Sequence, residues 1–181
     1  MGIGWLCSSV NDITHACFFF SIQHNPSFTK AETLAILTAL LVAPTRAYVR
    51  IYTDSQAALS TFNNVIKGLN LSTRKMEKLA NYQAWKTIRH IISTHALNID
   101  IIKVKGHSGN FLNNKADSLA KQGCLEPKID INFLNCPNSH LTFKNDSIMI
   151  ENSIRNFWKQ ANQAQQFSKL LNLQRNADIS A

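Results

Sequence analysis

The run Tyr48-Val49-Arg50-Ile51-Tyr52 leads through Thr53-Asp54-Ser55 straight into a helical pattern from about Gln56. A short β-rich segment that ends in an acid and feeds a helix is an α/β crossover pattern. The rest of the chain agrees with it. Ile3 to Cys7 and Ala16 to Ile22 read as strands joined by a turn at Val10-Asn11-Asp12. Thr29 is placed to cap a helix from Lys30 to about Val42, with Glu32 at the third position after the cap and Pro44 beyond its end. A single long helix is expected from Thr73 to about Thr94. Met76, Ala80, Ala84, Ile88 and Ile91 share its buried side, and Arg74, Lys78, Asn81 and Trp85 another. Asn98 to Lys105 reads as a strand, and Asn113 to Lys121 as a helix that Gly123 can terminate. The order is β-β-α-β-α-α-β-α.

Three domains of behaviour follow. Residues 1–124 form an α/β unit, 125–153 a linker rich in Asn and Ser, and 154–181 a helical tail with a weak apolar stripe through Phe157, Ala161, Ala164 and Leu171. Hydrophobic residues make up 45% of the 181, enough for a packed core. No uncharged apolar run approaches the roughly 18 residues of a membrane span, so no membrane partner is expected. The first basic residue is Lys30, and Cys7, Cys17, Cys124 and Cys136 form no CxxC pair. These features predict an intracellular protein, without choosing between nucleus and cytoplasm.

Charge points to a partner. The chain carries 19 Lys and Arg against 11 Asp and Glu, a net charge of +8. Residues 1–124 hold 13 of the basic and 6 of the acidic side chains. A basic domain with a near-neutral tail suits a polyanion, nucleic acid first.

Against that surplus, three of the few acids stand at conspicuous places. Glu32 opens a helix, Asp54 ends a strand, and Asp117 lies near the start of a later helix. The carboxyl ends of strands are where open α/β sheets bind ligands. Carboxylates gathered there suit a divalent cation; singly, Glu32 and Asp117 are also ordinary helix-start charges.

The surrounding words are more specific. Thr29-Lys30-Ala31-Glu32-Thr33-Leu34-Ala35-Ile36 is followed by Ile51-Tyr52-Thr53-Asp54-Ser55-Gln56-Ala57-Ala58-Leu59. Val104-Lys105-Gly106-His107-Ser108-Gly109-Asn110 and Asn113-Asn114-Lys115-Ala116-Asp117-Ser118-Leu119-Ala120-Lys121 come after. Together, in this order, they resemble the type 1 ribonuclease H domain, most closely the retroelement-like branch, over about Gly2 to Gly123.

The resemblance implies a ribonuclease H-like α/β fold, a central mixed sheet flanked by helices. It implies endonucleolytic hydrolysis of the RNA strand of an RNA/DNA hybrid by two Mg²⁺ ions, with Mn²⁺ as an alternative. Glu32, Asp54 and Asp117 match three of the family's four metal-binding catalytic acids. His107 matches a mobile-loop histidine tied to proton transfer and product release. Thr29, Ser55, Gln56, Asn81, Trp85 and Asn113 are the expected nucleic-acid contacts, with Asn81 and Trp85 at a groove edge. No basic-handle insertion is visible.

One departure is plain. The family's first acid sits on a first, central strand, and here Met1-Gly2-Ile3-Gly4-Trp5 already resembles the second. Asp12, the first acid, falls in a turn. A fragment of a longer protein, a decayed copy, or a strand supplied by a partner segment are the open alternatives. The competing functions are a nucleic-acid-binding module without the chemistry, and an interaction domain whose tail helix docks a partner.

Overall fold

The computed structural model describes residues 1–8, 14–24, 26–68, 71–106, 110–129, 131, 144–145, 148–150 and 154–172. Strand β1 (Gly2–Ser8) pairs antiparallel with β2 (Thr14–Ile22), Gly2 opposite Ser21 and Trp5 opposite Phe18. Strands β3 (Tyr48–Thr53) and β4 (Asn98–Lys103) pair parallel, Tyr48 opposite Asn98 and Thr53 opposite Lys103. A parallel pair requires a crossover, which α2 (Gln56–Phe62), a π-helical turn (Asn63–Lys67), α3 (Thr73–Met76) and α4 (Tyr82–Thr94) supply. The arrangement is the mixed-sheet α/β fold that the sequence predicts.

Helix α1 (Phe28–Leu41) packs against β1, α2 and α4, so one helical layer backs both strand pairs. Leu34, Leu37 and Leu40 meet Ile3, Phe20, Phe62, Ile88 and Ile99 in the core beneath it. On the other side α5 (Phe111–Gly123) lies across β1 and β2. The approach is so close that a methyl group on Gly4 would stand 2.4 Å from the Ala120 nitrogen, and one on Gly123 2.7 Å from the Phe20 carbonyl oxygen. Gly123 therefore serves contact with the sheet as the last residue of the helix, rather than stopping it from outside.

Among the described residues the two strand pairs are not hydrogen-bonded to each other. Among these residues β1 and β3 each have a strand neighbour on one edge only. Within the expected linker, β5 (Lys128–Ile129) adds a parallel partner to β2 at Ser21 and Ile22, and β6 (Lys144–Asn145) pairs with β7 (Ile148–Met149). The tail forms α6 (Ile154–Leu171).

The expected helix from Thr73 to Thr94 is broken. It stops at Met76 and restarts at Tyr82, with Asn81 in the left-handed region at φ 57°. Asparagine tolerates that conformation better than most residues. Ala80, in the interruption, is exposed, and Trp85 is buried in α4 beside Ala84, Ile88 and Ile91, being one position from Ala84 and three from Ile88.

Candidate active site

Helix α1 begins two residues earlier than the sequence suggests. The Ser27 hydroxyl, not Thr29, accepts from the Lys30 N–H as N-cap. Glu32 is then the fifth helical residue. The macrodipole acts within the first turn, so a helix-start role no longer accounts for this acid. Asp117 changes in the same way. Asn110 caps α5, accepting from the Asn113 N–H at 3.0 Å, and Asp117 is seven residues in.

Two of the acids are tied into the end of β3 by hydrogen bonds. Thr53, the last residue of β3, is buried, and its hydroxyl donates to Glu32 Oε2 at 3.3 Å while accepting from the Ser55 N–H at 3.1 Å. Asp54 follows at the strand end. Asn113 and Asp117, four apart, share one face of α5. Asn113 Nδ2 donates to Asp54 Oδ2 at 3.5 Å, which ties α5 to the end of β3. Gly106, beyond β4, closes the other side: its missing side chain leaves room for the Asp54 carboxylate, since a methyl group would stand 2.8 Å from Oδ2.

The electrostatics agree with the geometry. Burial pushes the Glu32 carboxyl above its ordinary 4.5, and the negative charges of Asp54 and then Asp117 push it further, against the pull of the Thr53 hydroxyl. Glu32, on α1, thus feels the charges of Asp54, at the end of β3, and of Asp117, on α5. Among the described residues no three such groups lie close enough to hold one ion together. Coulombic coupling reaches farther than a coordination bond, so the two observations describe an open cluster. Its donors are all oxygens, the type that a hard divalent cation takes.

A ribonuclease H family model matches residues 2–125. The chain belongs to the ribonuclease H family. Its relatives include proteins named Ribonuclease H from Methylobacillus flagellatus (32% identical over 97 residues), Parvibaculum lavamentivorans (33% over 97) and Wolbachia pipientis (29% over 107). These alignments cover 52%, 52% and 58% of this chain and 63%, 63% and 72% of the relatives.

The other residues expected to contact nucleic acid divide. Thr29 is exposed and its hydroxyl lies 3.2 Å from that of Ser27. The Ser55 hydroxyl caps α2 through the Ala58 N–H, and Gln56 Oε1 accepts from Lys103 Nζ at 2.7 Å. Asn81 is buried, and its Nδ2 has no hydrogen-bond partner. Trp85 corrects the groove-edge expectation: at 2% exposed it belongs to the core, because in α4 it flanks the buried face of Ala84, Ile88 and Ile91. His107 lies outside the described residues. Thr53 and Gly106 were missed as site residues, although both stand inside the words that carried the resemblance.

Proposed function

We propose that this chain hydrolyses the RNA strand of RNA/DNA hybrids. The observation that carries the reading is the convergence of Glu32, Asp54 and Asp117, with Asn113 donating to Asp54, in a ribonuclease H fold whose first 124 residues are strongly basic. Glu32, Asp54 and Asp117 would hold the Mg²⁺ or Mn²⁺ ions. Two such ions supply an activated water and steady the leaving 3′ oxygen. Asn113 and Thr53 orient the carboxylates they touch, and Gly106 leaves Asp54 its room. His107, between β4 and α5 in the sequence, is assigned proton transfer and product release on the resemblance alone.

Thr29, Ser55, Gln56 and Asn113 surround the carboxylates as contacts for the hybrid. Asn81, the other groove-edge expectation, is buried with its Nδ2 enclosed, and it is assigned no contact with the hybrid. The basic surface holds phosphates without reading bases, and the 2′-hydroxyl distinguishes the strand to be cut. Residues 1–124 are the working domain in this reading, with 125–153 and 154–181 appended to it.

A second reading has its own support. The open cluster and the unjoined strand pairs favour a module that binds hybrids without cutting them. Strand-resolved cleavage separates the two. Hybrids labelled on either strand are incubated with the chain and Mg²⁺ or Mn²⁺, beside RNA/RNA and DNA/DNA duplexes. The proposal expects shortening of the RNA strand of the hybrid alone. Salt-sensitive binding without cleavage selects the binding module, and absence of both sets aside each reading.

A further inference from the structure

The outer face of β3 carries a feature that the cleavage site does not use. Tyr48, Arg50 and Tyr52 alternate along the strand and are exposed, while Val49, Ile51 and Thr53 turn toward the helices. Tyr48 is 53% and Tyr52 58% exposed, and Ile102, opposite Tyr52 on β4, is 37% exposed. Aromatic rings so open to water on a strand are not there to fill the core.

One of the two rings is also held in place. The Arg50 guanidinium carbon lies 5.3 Å from the Tyr48 ring centroid, and Nε donates to the Tyr48 hydroxyl at 3.4 Å. The Tyr48 hydroxyl donates in turn to Asp100. An exposed cation therefore packs on the Tyr48 ring, and the acid beside it is engaged by Tyr48. A preorganised ring loses little freedom on binding.

We propose that this face is a stacking platform for single-stranded nucleic acid. The proposal deepens the hybrid-cleavage reading, on which its biological setting rests: the strand bearing the platform runs directly into Thr53 and Asp54. A duplex buries its base faces, so rings presented for stacking suit unpaired nucleotides. Tyr48 and Tyr52 are four residues apart, about 13 Å along the strand. That is about four times the 3.4 Å rise per nucleotide of a duplex strand, so the two rings suit separate bases of an extended single strand. The surplus of positive charge in residues 1–124 favours a polyanion over a protein surface.

The test uses the full chain and fluorescence anisotropy with three labelled probes: a blunt hybrid, the same hybrid with a single-stranded RNA tail, and the tail as a free oligonucleotide. The variants are Tyr52→Ala, Arg50→Gln and Tyr52→Phe, each checked for fold by circular dichroism. The tail should tighten binding to the parent protein. Tyr52→Ala should lose roughly fivefold or more of tailed-probe and free-tail affinity, with the blunt hybrid unchanged and Tyr52→Phe retaining the gain. A parent protein indifferent to the tail, or a Tyr52→Ala protein that keeps the gain, overturns the platform. So does a change in the protein's own sedimentation on Arg50→Gln without loss of tail binding, which marks a contact between protein copies. Failure to bind the blunt hybrid counts against the hybrid reading, and the free-tail arm still decides the platform.

Discussion

Gly106 and Asp54 fit together as an absence and a charge: the space a side chain would take on Gly106 is held by the Asp54 carboxylate, 2.8 Å from where a methyl carbon would stand. The crowding atom is the end of a side chain, so Asp54 can yield. Gly106→Ala should cost no more than the ~1–3 kcal/mol of modest overpacking. It should nonetheless slow hybrid cleavage by roughly 100-fold, the effect of displacing a reacting group by about 1 Å. Urea melts and single-turnover cleavage measure the two quantities. Full activity in this variant would show that the Asp54 position does not matter.

Asn113→Ala removes the donor that holds Asp54 from α5 while leaving the three carboxylates in place. Loss of such a supporting hydrogen bond typically costs 10–100-fold in metal affinity or activity. The Mg²⁺ concentration for half-maximal cleavage should rise with little change in melting temperature. An unchanged Mg²⁺ dependence would remove Asn113 from the site.

Glu32 gives a pH signature. Its folded-state pKa lies above the ordinary 4.5 because of burial and the charges of Asp54 and Asp117. Between the unfolded and folded values the native state binds more protons, so stability falls as pH rises through that window. Glu32→Gln lacks this penalty. The variant should match the parent protein near pH 4 and exceed it in stability at pH 7 without divalent ions. Denaturant melts at the two pH values measure the gap; a gap that closes as pH rises contradicts the clustered carboxylates.

Trp85 separates packing from binding. Trp85→Ala should lose about 3–5 kcal/mol, as large core truncations do. Trp85→Phe should stay folded and bind hybrids within about twofold of the parent. A folded Trp85→Phe protein with sharply weakened binding would restore the ring to the groove edge.

The contrast between Trp85 and Asp54 shows what the sequence made legible. The strand ending in Asp54, its parallel partner and the helix bearing Asp117 were readable because their periodicity and their short motifs agreed. The side on which Trp85 lies was not, because it sits at the boundary of the apolar stripe, one position from Ala84 and three from Ile88; nor was the helix break, because nothing in residues 77–81 resembles a Gly or Pro stop. The break rests on Asn81 adopting a left-handed conformation that many other asparagines do not adopt. Caps shifted for a similar reason: Ser27, Thr29, Asn110 and Asn113 are all capable N-caps, and only tertiary packing selects among them. The Tyr48–Arg50–Tyr52 ladder was hidden because a strand's alternation does not say which face stays wet.

The most direct measurement is the initial rate of RNA-strand cleavage in a labelled hybrid across a Mg²⁺ series, for the chain and for Asp54→Asn. The account predicts a rate that rises with Mg²⁺ in the parent protein and falls by at least roughly 100-fold in the variant, on the scale of catalytic-group loss, with both proteins equally folded. Equal rates in the two, or cleavage indifferent to Mg²⁺, would contradict a cation centre built on Glu32, Asp54 and Asp117.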